Sequence, residues 1–407
     1  MIWFITIVII MFSIEIVLNI LIRSISNNFQ WIITEKSEYP ILDPKGLESF
    51  FNKSYDPILG WTRKKLTSGM EIGANGEIEF QIDELGSRIN SSYKNFEPTI
   101  ACFGDSYSFC RQVENDETWE YFLGDKIKTG VLNYGVGNYG FDQALLRYSN
   151  TDLPKTIKTI IMAVVPETIC RIQSFWKHYL EFGNTFAFKP MFKLESENIK
   201  LYENPMQSPS DFYCYNEKLD YIKSHDRFYS EKFKKYKFRF PYTYSFIKNY
   251  NRNYHLLRLL FHDYFSGLFK DEKEKLYEDA FTYIMLENIK HSHTLYSDTY
   301  SKKLFARIIQ KFANETNSRG HNHLFVIIPQ LIDVLVIGGG NDSPYGNFFE
   351  KLNSDNIHIL DTTPFFVEKI ENIKPYYVND KYGGHPSKLG NKMISELISH
   401  KLDLSLA

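Results

Sequence analysis

Thr99-Ile100-Ala101-Cys102-Phe103-Gly104-Asp105-Ser106 decides the fold class. Its first five residues form an unbroken apolar run of strand length, the pattern of a strand buried on both faces. The run ends on Gly-Asp-Ser and a polar stretch. Trp119-Glu120-Tyr121-Phe122-Leu123 then has the composition to pack as a helix. A serine between such a strand and helix is expected among outward-pointing N–H groups, where the helix dipole favours negative charge. That environment suits a nucleophile whose reaction generates an oxyanion.

Further apolar runs of the same kind follow: Val131-Leu132-Asn133, residues 157–165 (IKTIIMAVV), 324–328 (LFVII) and 357–360 (IHIL). Helix-like segments such as residues 301–313 separate them. This alternation predicts βαβ units with right-handed crossovers, hence a parallel sheet whose ligands bind at the carboxyl ends of its strands. Residues 166–323 between the third and fourth runs far exceed one crossover. They form an insertion rich in Tyr, Phe and Lys, within which 232–239 (KFKKYKFR) alternates basic and aromatic residues. That stretch reads as a solvated strand or helix face, with contact to a membrane surface or an acidic glycan as the sharper alternative.

Upstream, Gly76-Glu77-Ile78-Glu79-Phe80-Gln81-Ile82-Asp83 alternates polar and apolar after an Asn75-Gly76 turn signal, which predicts a half-buried strand in a small β cap. Residues 1–22 (MIWFITIVIIMFSIEIVLNILI) are long enough to cross a bilayer as a helix, interrupted only by Glu15 and Asn19. A cleaved signal peptide is disfavoured by the missing basic n-region and the absence of an Ala-x-Ala-like site. The domain reading is therefore 1–23 transmembrane anchor, 24–54 linker, 55–98 β cap, and 99–402 main domain with an insertion at about 170–320.

The chain has 407 residues, 43% of them hydrophobic and 16% aromatic, with a net charge of -2. That supports a large core and implies no field suited to nucleic acid. The four cysteines, Cys102, Cys110, Cys170 and Cys214, match neither a zinc pattern nor a disulfide scaffold. His291-x-His293 and His321-x-His323 lack carboxylate or cysteine partners, so structural use is preferred and no metal or cofactor is expected.

Two later segments complete the chemistry. Asn133-Tyr134-Gly135-Val136-Gly137-Asn138-Tyr139-Gly140 follows the second strand with three glycines in six residues, which lets backbone N–H groups approach a ligand. It has neither the Gly-Lys-Ser/Thr of a phosphate loop nor the placement of a dinucleotide site. Gly383-Gly384-His385-Pro386-Ser387-Lys388-Leu389-Gly390 precedes a terminal helix expected from about Lys392. His385 on that loop is a helix-entry residue in the bland reading, and the base for a serine nucleophile in the sharper one. Position 108 is serine, so the Gly-x-Ser-x-Gly elbow of the α/β-hydrolases is disfavoured.

The order Gly-Asp-Ser, Asn-x-Gly-Val with glycines, and a late Gly-His-Pro-x-x-x-Gly resembles the SGNH hydrolases, or GDSL esterases and lipases. It is closest to bacterial membrane-anchored members, here with FGDSYSFC and GFDQALLRY. The resemblance implies a flavodoxin-like three-layer α/β/α fold, with Ser106 as nucleophile and His385 as its base. It implies an oxyanion hole from the Ser106 N–H and the glycine loop, where Asn138 replaces the family's glycine. The family's Gly-x-Asn-Asp block should follow the third strand. There this chain has Val164-Val165-Pro166-Glu167-Thr168, so the Thr168 hydroxyl is taken as third donor, while Gly339-Gly340-Asn341-Asp342 is taken as a turn. The family aspartate three residues before the histidine is Tyr382 here, leaving Asp380 to orient the imidazole or His385 to act in a dyad. Asp105, Gly137 and Tyr139 are expected to contact substrate; Glu117, Trp119 and Arg171 read as packing or ion-pair residues.

The function expected is a membrane-anchored ester hydrolase acting through an acyl-enzyme on an O-acylated carbohydrate or lipid, with the catalytic domain periplasmic or extracellular. The alternatives are an O-acyltransferase modifying an envelope polysaccharide, and a non-catalytic glycan-binding module that keeps the fold.

Overall fold

A computed structural model of the protein describes residues 1–29, 31–73, 76–266, 272–354, 357–378 and 384–406. The chain divides into two compact units. One comprises Met1–Glu48, Ser174–Phe188 and Pro205–Ile284; the other Ser49–Gln173, Lys189–Asn204 and Met285–Ala407.

The second unit is built on a five-stranded parallel sheet: β1 (Pro98–Gly104), β2 (Gly130–Asn133), β3 (Thr159–Val164), β4 (Asn322–Ile327) and β5 (Ile359–Asp361). All five apolar runs of the sequence are strands of this sheet. Its order is β2-β1-β3-β4-β5, the flavodoxin-like order, with its switch point between β1 and β3.

Alternation along the strands accounts for the layers. On one face Ile100, Cys102, Ile161, Ala163, Leu324 and Val326 pack with Trp119 and Leu123 of helix Trp119–Ile127 and with Ile394 and Ile398 of helix Lys388–Leu406. On the other, Phe325 meets Phe141 at a ring separation of 4.9 Å and Phe349 at 6.0 Å, while Phe103 stacks on Tyr134 at 4.8 Å. Helices Phe141–Ser149, Thr299–Ser318 and Gly346–Ser354 supply that second layer. Helices thus cover both faces, which is why the strands read as continuous apolar runs. The antiparallel pair Ser68–Gly73 and Gly76–Gln81 turns Ile78 and Phe80 inward, as its alternation predicted.

In the first unit, Ile2–Asn28 is one helix, long and apolar enough to cross a membrane. Residues of the stretch read as a linker do substantial packing: Phe29, Trp31 and Ile32 share a core with Phe238, Leu256, Ala280 and Ile284. Glu38 accepts hydrogen bonds from Tyr229 and Lys237 at 2.7 Å each. A second nucleus stacks Trp176 on Phe188 at 4.7 Å and on His178 at 4.6 Å. Asp226 holds it by accepting from the Phe175 and Trp176 N–H groups at 2.6 and 2.9 Å. Burial pushes the Asp226 carboxyl up to about 6 and the His178 imidazole down to about 4.

Candidate active site

The site begins where β1 ends. Gly104 crosses so close to β3 that a Cβ there would lie 1.8 Å from the Ala163 carbonyl oxygen, so no side chain fits. The next residue turns inward. Asp105 is wholly buried; its Oδ1 accepts from the Tyr107 N–H at 2.8 Å and its Oδ2 from the Val165 N–H at 2.9 Å. The sequence reading gave Asp105 to substrate. The structure corrects this, because both carboxylate oxygens are occupied in shaping the loop.

Ser106 follows, 7% exposed. It lies on a turn ahead of the helix at Trp119–Ile127, the order the sequence suggested. Residues 105–110 form tight turns in which the Phe109 N–H donates to the Asp105 carbonyl at 2.9 Å and the Arg111 N–H to the Ser106 carbonyl at 3.1 Å. Cys110 and Gln112 take positive φ angles of 54° and 72°, which prevents the turns from propagating, and the next long helix starts only at Trp119. The Ser106 N–H therefore owes its availability to the turn. Among the described residues no intramolecular acceptor takes it.

His385 arrives from the other end of the chain. Its Nε2 lies 2.9 Å from Ser106 Oγ, and its side chain is 3% exposed. Tyr107 locks this approach twice: its ring packs on the imidazole at 4.6 Å, and its hydroxyl donates to the Gly384 carbonyl at 2.8 Å. Gly384 has φ 74°, and the Val378 N–H donates to the His385 carbonyl at 2.8 Å. The residue after Ser106 thus positions His385. Asp380, expected to orient the imidazole, lies outside the described residues.

The glycine loop leaves β2 beside this turn. Asn133 Oδ1 accepts from the Gly135 N–H at 2.9 Å, and the Val136 N–H donates to the Gly104 carbonyl at 3.1 Å. A Cβ on Gly135 would lie 2.1 Å from the Phe109 backbone nitrogen. Two backbones meet here, and that contact explains this glycine better than ligand approach does. Asn138 is exposed with φ 67°, at the third position of a turn closed by the Tyr139 N–H on the Val136 carbonyl at 3.3 Å. Its N–H is not taken by any described residue. The Gly137 carbonyl accepts from Trp61 Nε1 at 3.1 Å, and Tyr139, wholly buried, donates its hydroxyl to the Trp61 carbonyl at 2.5 Å. Tyr139 thus supports the loop from behind instead of facing substrate, a second correction. Thr168 is also wholly buried, and its Oγ1 accepts from the Phe141 N–H at 2.8 Å.

One group that the sequence reading placed among ordinary ion pairs proves central. Arg171 Nη2 donates to Glu167 Oε2 at 2.7 Å, while Nη1 lies 3.4 Å from Asp105 Oδ2 and 3.3 Å from the Tyr139 carbonyl. Gln330 Nε2 donates to the same Glu167 oxygen at 3.3 Å. One guanidinium therefore ties together the segments after β1, β2 and β3, and Gln330 adds the segment after β4. Burial pushes the Asp105 carboxyl up, and Arg171 with the two backbone N–H groups pulls it back. The only sequence signal was the i, i+4 spacing of Glu167 and Arg171. The histidine pairs are also placed: His293 Nε2 bonds Asp333 at 2.8 Å, and His321 Nδ1 lies 2.9 Å from the Tyr148 hydroxyl.

No family model matches the chain, and no curated protein matches it. Among solved structures it is similar to a putative lipolytic protein of the G-D-S-L family from Desulfitobacterium hafniense DCB-2, at 12% identity and a TM-score of 0.31, covering 75% of this chain and 99% of that one. It is similar to a catalytic mutant of the acetylxylan esterase Axe2 from Geobacillus stearothermophilus, at 10% identity and a TM-score of 0.35, covering 75% and 93%. A third similarity is to a member of the lipolytic protein G-D-S-L family from Veillonella parvula DSM 2008, at 11% identity and a TM-score of 0.31, covering 75% and 95%. At such TM-scores these similarities add nothing to the chemistry, which rests on the residues already described.

Proposed function

We propose that the chain is a membrane-anchored serine ester hydrolase acting on an O-acylated carbohydrate or lipid through an acyl-enzyme. The observation that carries this reading is the 2.9 Å hydrogen bond between Ser106 Oγ and His385 Nε2, formed across 279 positions of sequence and held by Tyr107. The separation is within reach for direct proton transfer.

In this reading Ser106 Oγ attacks the ester carbonyl carbon as its proton passes to His385 Nε2. The negative charge on the carbonyl oxygen is met by the Ser106 and Asn138 N–H groups, with Thr168 supporting the loop beside them. Collapse of the tetrahedral adduct breaks the ester C–O bond, and the imidazolium gives its proton to the departing alkoxide. Water then attacks the acyl-enzyme, losing a proton to His385, and the carboxylic acid leaves as Ser106 recovers its proton. Asp380 would orient the imidazole, and Gly137 would line the acyl group's approach. The catalytic unit is placed on the periplasmic or extracellular side, which protease accessibility in intact cells tests.

The test of the chemistry is serine-directed labelling of the full chain by a fluorophosphonate. Wild type should label and Ser106→Ala should not, while His385→Ala should lower the labelling rate by about 10³-fold or more. A well-folded wild type that fails to label overturns the reading in favour of a binding module. An acyl-donor assay with and without a carbohydrate acceptor separates hydrolysis from transfer.

A further inference from the structure

The polar residues that interrupt the apolar N-terminal helix are both partnered, and by the same short segment. Glu15 accepts from the Tyr242 N–H at 2.5 Å, from the Thr243 N–H at 3.0 Å and from the Thr243 hydroxyl. Asn19 Oδ1 accepts from the Tyr242 hydroxyl at 3.2 Å. Among the described residues Thr6 and Ser13 bond only their own helix, donating to the Ile2 and Ile9 carbonyls. The start of helix Tyr242–Lys248 is thereby pinned to the N-terminal helix at the level of Glu15.

That level lies inside the apolar run. Ile22 is seven positions beyond Glu15, about 10 Å of helix rise, whereas a span of some twenty residues matches a hydrocarbon core of about 30 Å. If the run from Ile2 to Ile22 crosses a bilayer, the start of helix Tyr242–Lys248 sits about 10 Å below one interface. The surface of the segment that follows fits such a place. From residue 240 through helices Tyr242–Lys248 and Tyr250–Ser266, exposed positions recur every three or four residues at 240, 244, 247, 251, 254, 258 and 261, with Pro241, Lys248 and Tyr250 exposed beside them. The recurring positions hold Phe240, Tyr244, Ile247, Asn251, Tyr254, Arg258 and Phe261. The five apolar members are 52–69% exposed. The opposite positions, Ser245, Arg252, Asn253 and Leu256, are buried. Helices facing water should be polar on their outer side; here Phe240, Tyr244, Ile247, Tyr254 and Phe261 make it mostly apolar. Exposed Lys234 and Lys235 precede it and exposed Arg239 and Lys248 lie along it, placed to reach anionic headgroups at about 1 kcal/mol each.

We propose that residues 239–261 form a second membrane-contacting element. It would be an aromatic pair of helices edged with basic residues, immersed about 5–10 Å into the leaflet, continuous with the N-terminal helix and docked on anionic lipid. The continuity with that helix, through Glu15 and Asn19, makes a bilayer the occupant of this face. The proposal rests on the anchor reading and not on the chemistry at Ser106.

Full-length chain carrying Cys214→Ser, with Tyr244→Cys or Ile247→Cys labelled by an environment-sensitive fluorophore, tests it in vesicles of phosphatidylcholine and phosphatidylglycerol. Both positions are exposed, so neither label disturbs the core. Emission should shift to the blue, and a nitroxide partway along the lipid acyl chain should quench it more than one on the headgroup. A probe at Ile9→Cys reports the N-terminal helix in parallel. Unquenched probes at 244 and 247 beside a quenched probe at 9 overturn the proposal, whether emission is that of water or of a covering protein. An unquenched probe at 9 removes the anchor, and the proposal falls with it.

Discussion

Arg171→Met should unfold the protein more easily in a way that acid reverses. The guanidinium reaches Glu167 at 2.7 Å and Asp105 at 3.4 Å, and both carboxylates are essentially inaccessible to water. Methionine keeps most of the volume and removes the charge, leaving two buried carboxylates without their cation. Breaking a buried pair from one side costs about 3–5 kcal/mol. Asp105 is already held above the usual carboxylate range by burial, and Arg171 is the largest influence opposing that. Without it the carboxyl rises further. A carboxyl whose folded pKa is raised binds more protons folded than unfolded, so stability falls as pH rises from the unfolded value to the folded one. The variant should therefore be most unstable relative to wild type near neutrality and regain much of the loss toward pH 4.

Denaturant midpoints from pH 4 to 8, on full-length protein in detergent, would measure this, with Arg171→Met/Asp105→Asn as the deciding variant. If the loss comes from a stranded charge at Asp105, adding Asp105→Asn should recover part of it near neutral pH. An Arg171→Met midpoint equal to that of wild type at every pH, or a double variant worse than the single one by the full cost of Asp105→Asn alone, would refute the reasoning. A catalytic readout separates positioning from stability alone. Arg171 also holds the Tyr139 carbonyl, one residue beyond Asn138, so kcat should fall in the folded variant while KM changes little.

Tyr107→Phe keeps the ring on His385 but removes the hydroxyl's bond to the Gly384 carbonyl, and should cost about 1 kcal/mol and slow fluorophosphonate labelling without abolishing it. Gly135→Ala drives a methyl into the Phe109 backbone and should destabilise by about 1–3 kcal/mol or more. Gly137→Ala, whose Cβ would meet nothing within 4 Å, should keep the wild-type thermal midpoint; equal midpoints for the two variants would dismiss the backbone contact. Glu120, wholly buried beside Cys110, is pushed up to about 8 by burial. It should lower stability progressively as pH rises from about 4.5 to 8, by about 1.4 kcal/mol per pH unit at most. Glu120→Gln should flatten that part of the stability–pH curve, measured by denaturant midpoints.

What the sequence made legible follows from how local each cause is. The five strands were readable because helices cover both sheet faces, so every residue of a run such as 160–164 must be apolar. The hairpin at Ile78 and Phe80 was readable for the opposite reason, since only one face is buried. Ser106 and His385 stood out because Gly-Asp-Ser and Gly-His-Pro are short motifs. The Arg171 clamp was not readable: its partners at 105, 139 and 167, with Gln330 beyond, come from four different strand ends. A one-dimensional pattern shows only the spacing of Glu167 to Arg171, which any exposed helix also shows. Asp105 and Tyr139 were misassigned for a related reason. Motif position says that a residue is near the chemistry, but the pleat and the Gly104 contact decide which way it points, and both side chains point inward. The clamp stands where the sequence lacks the asparagine expected after β3. A buried cation spanning three loop ends can hold the N–H groups of the glycine loop and of the Ser106 turn in register. On the proposed function, the absence of that asparagine therefore argues for a different support of the oxyanion donors, and not against the site.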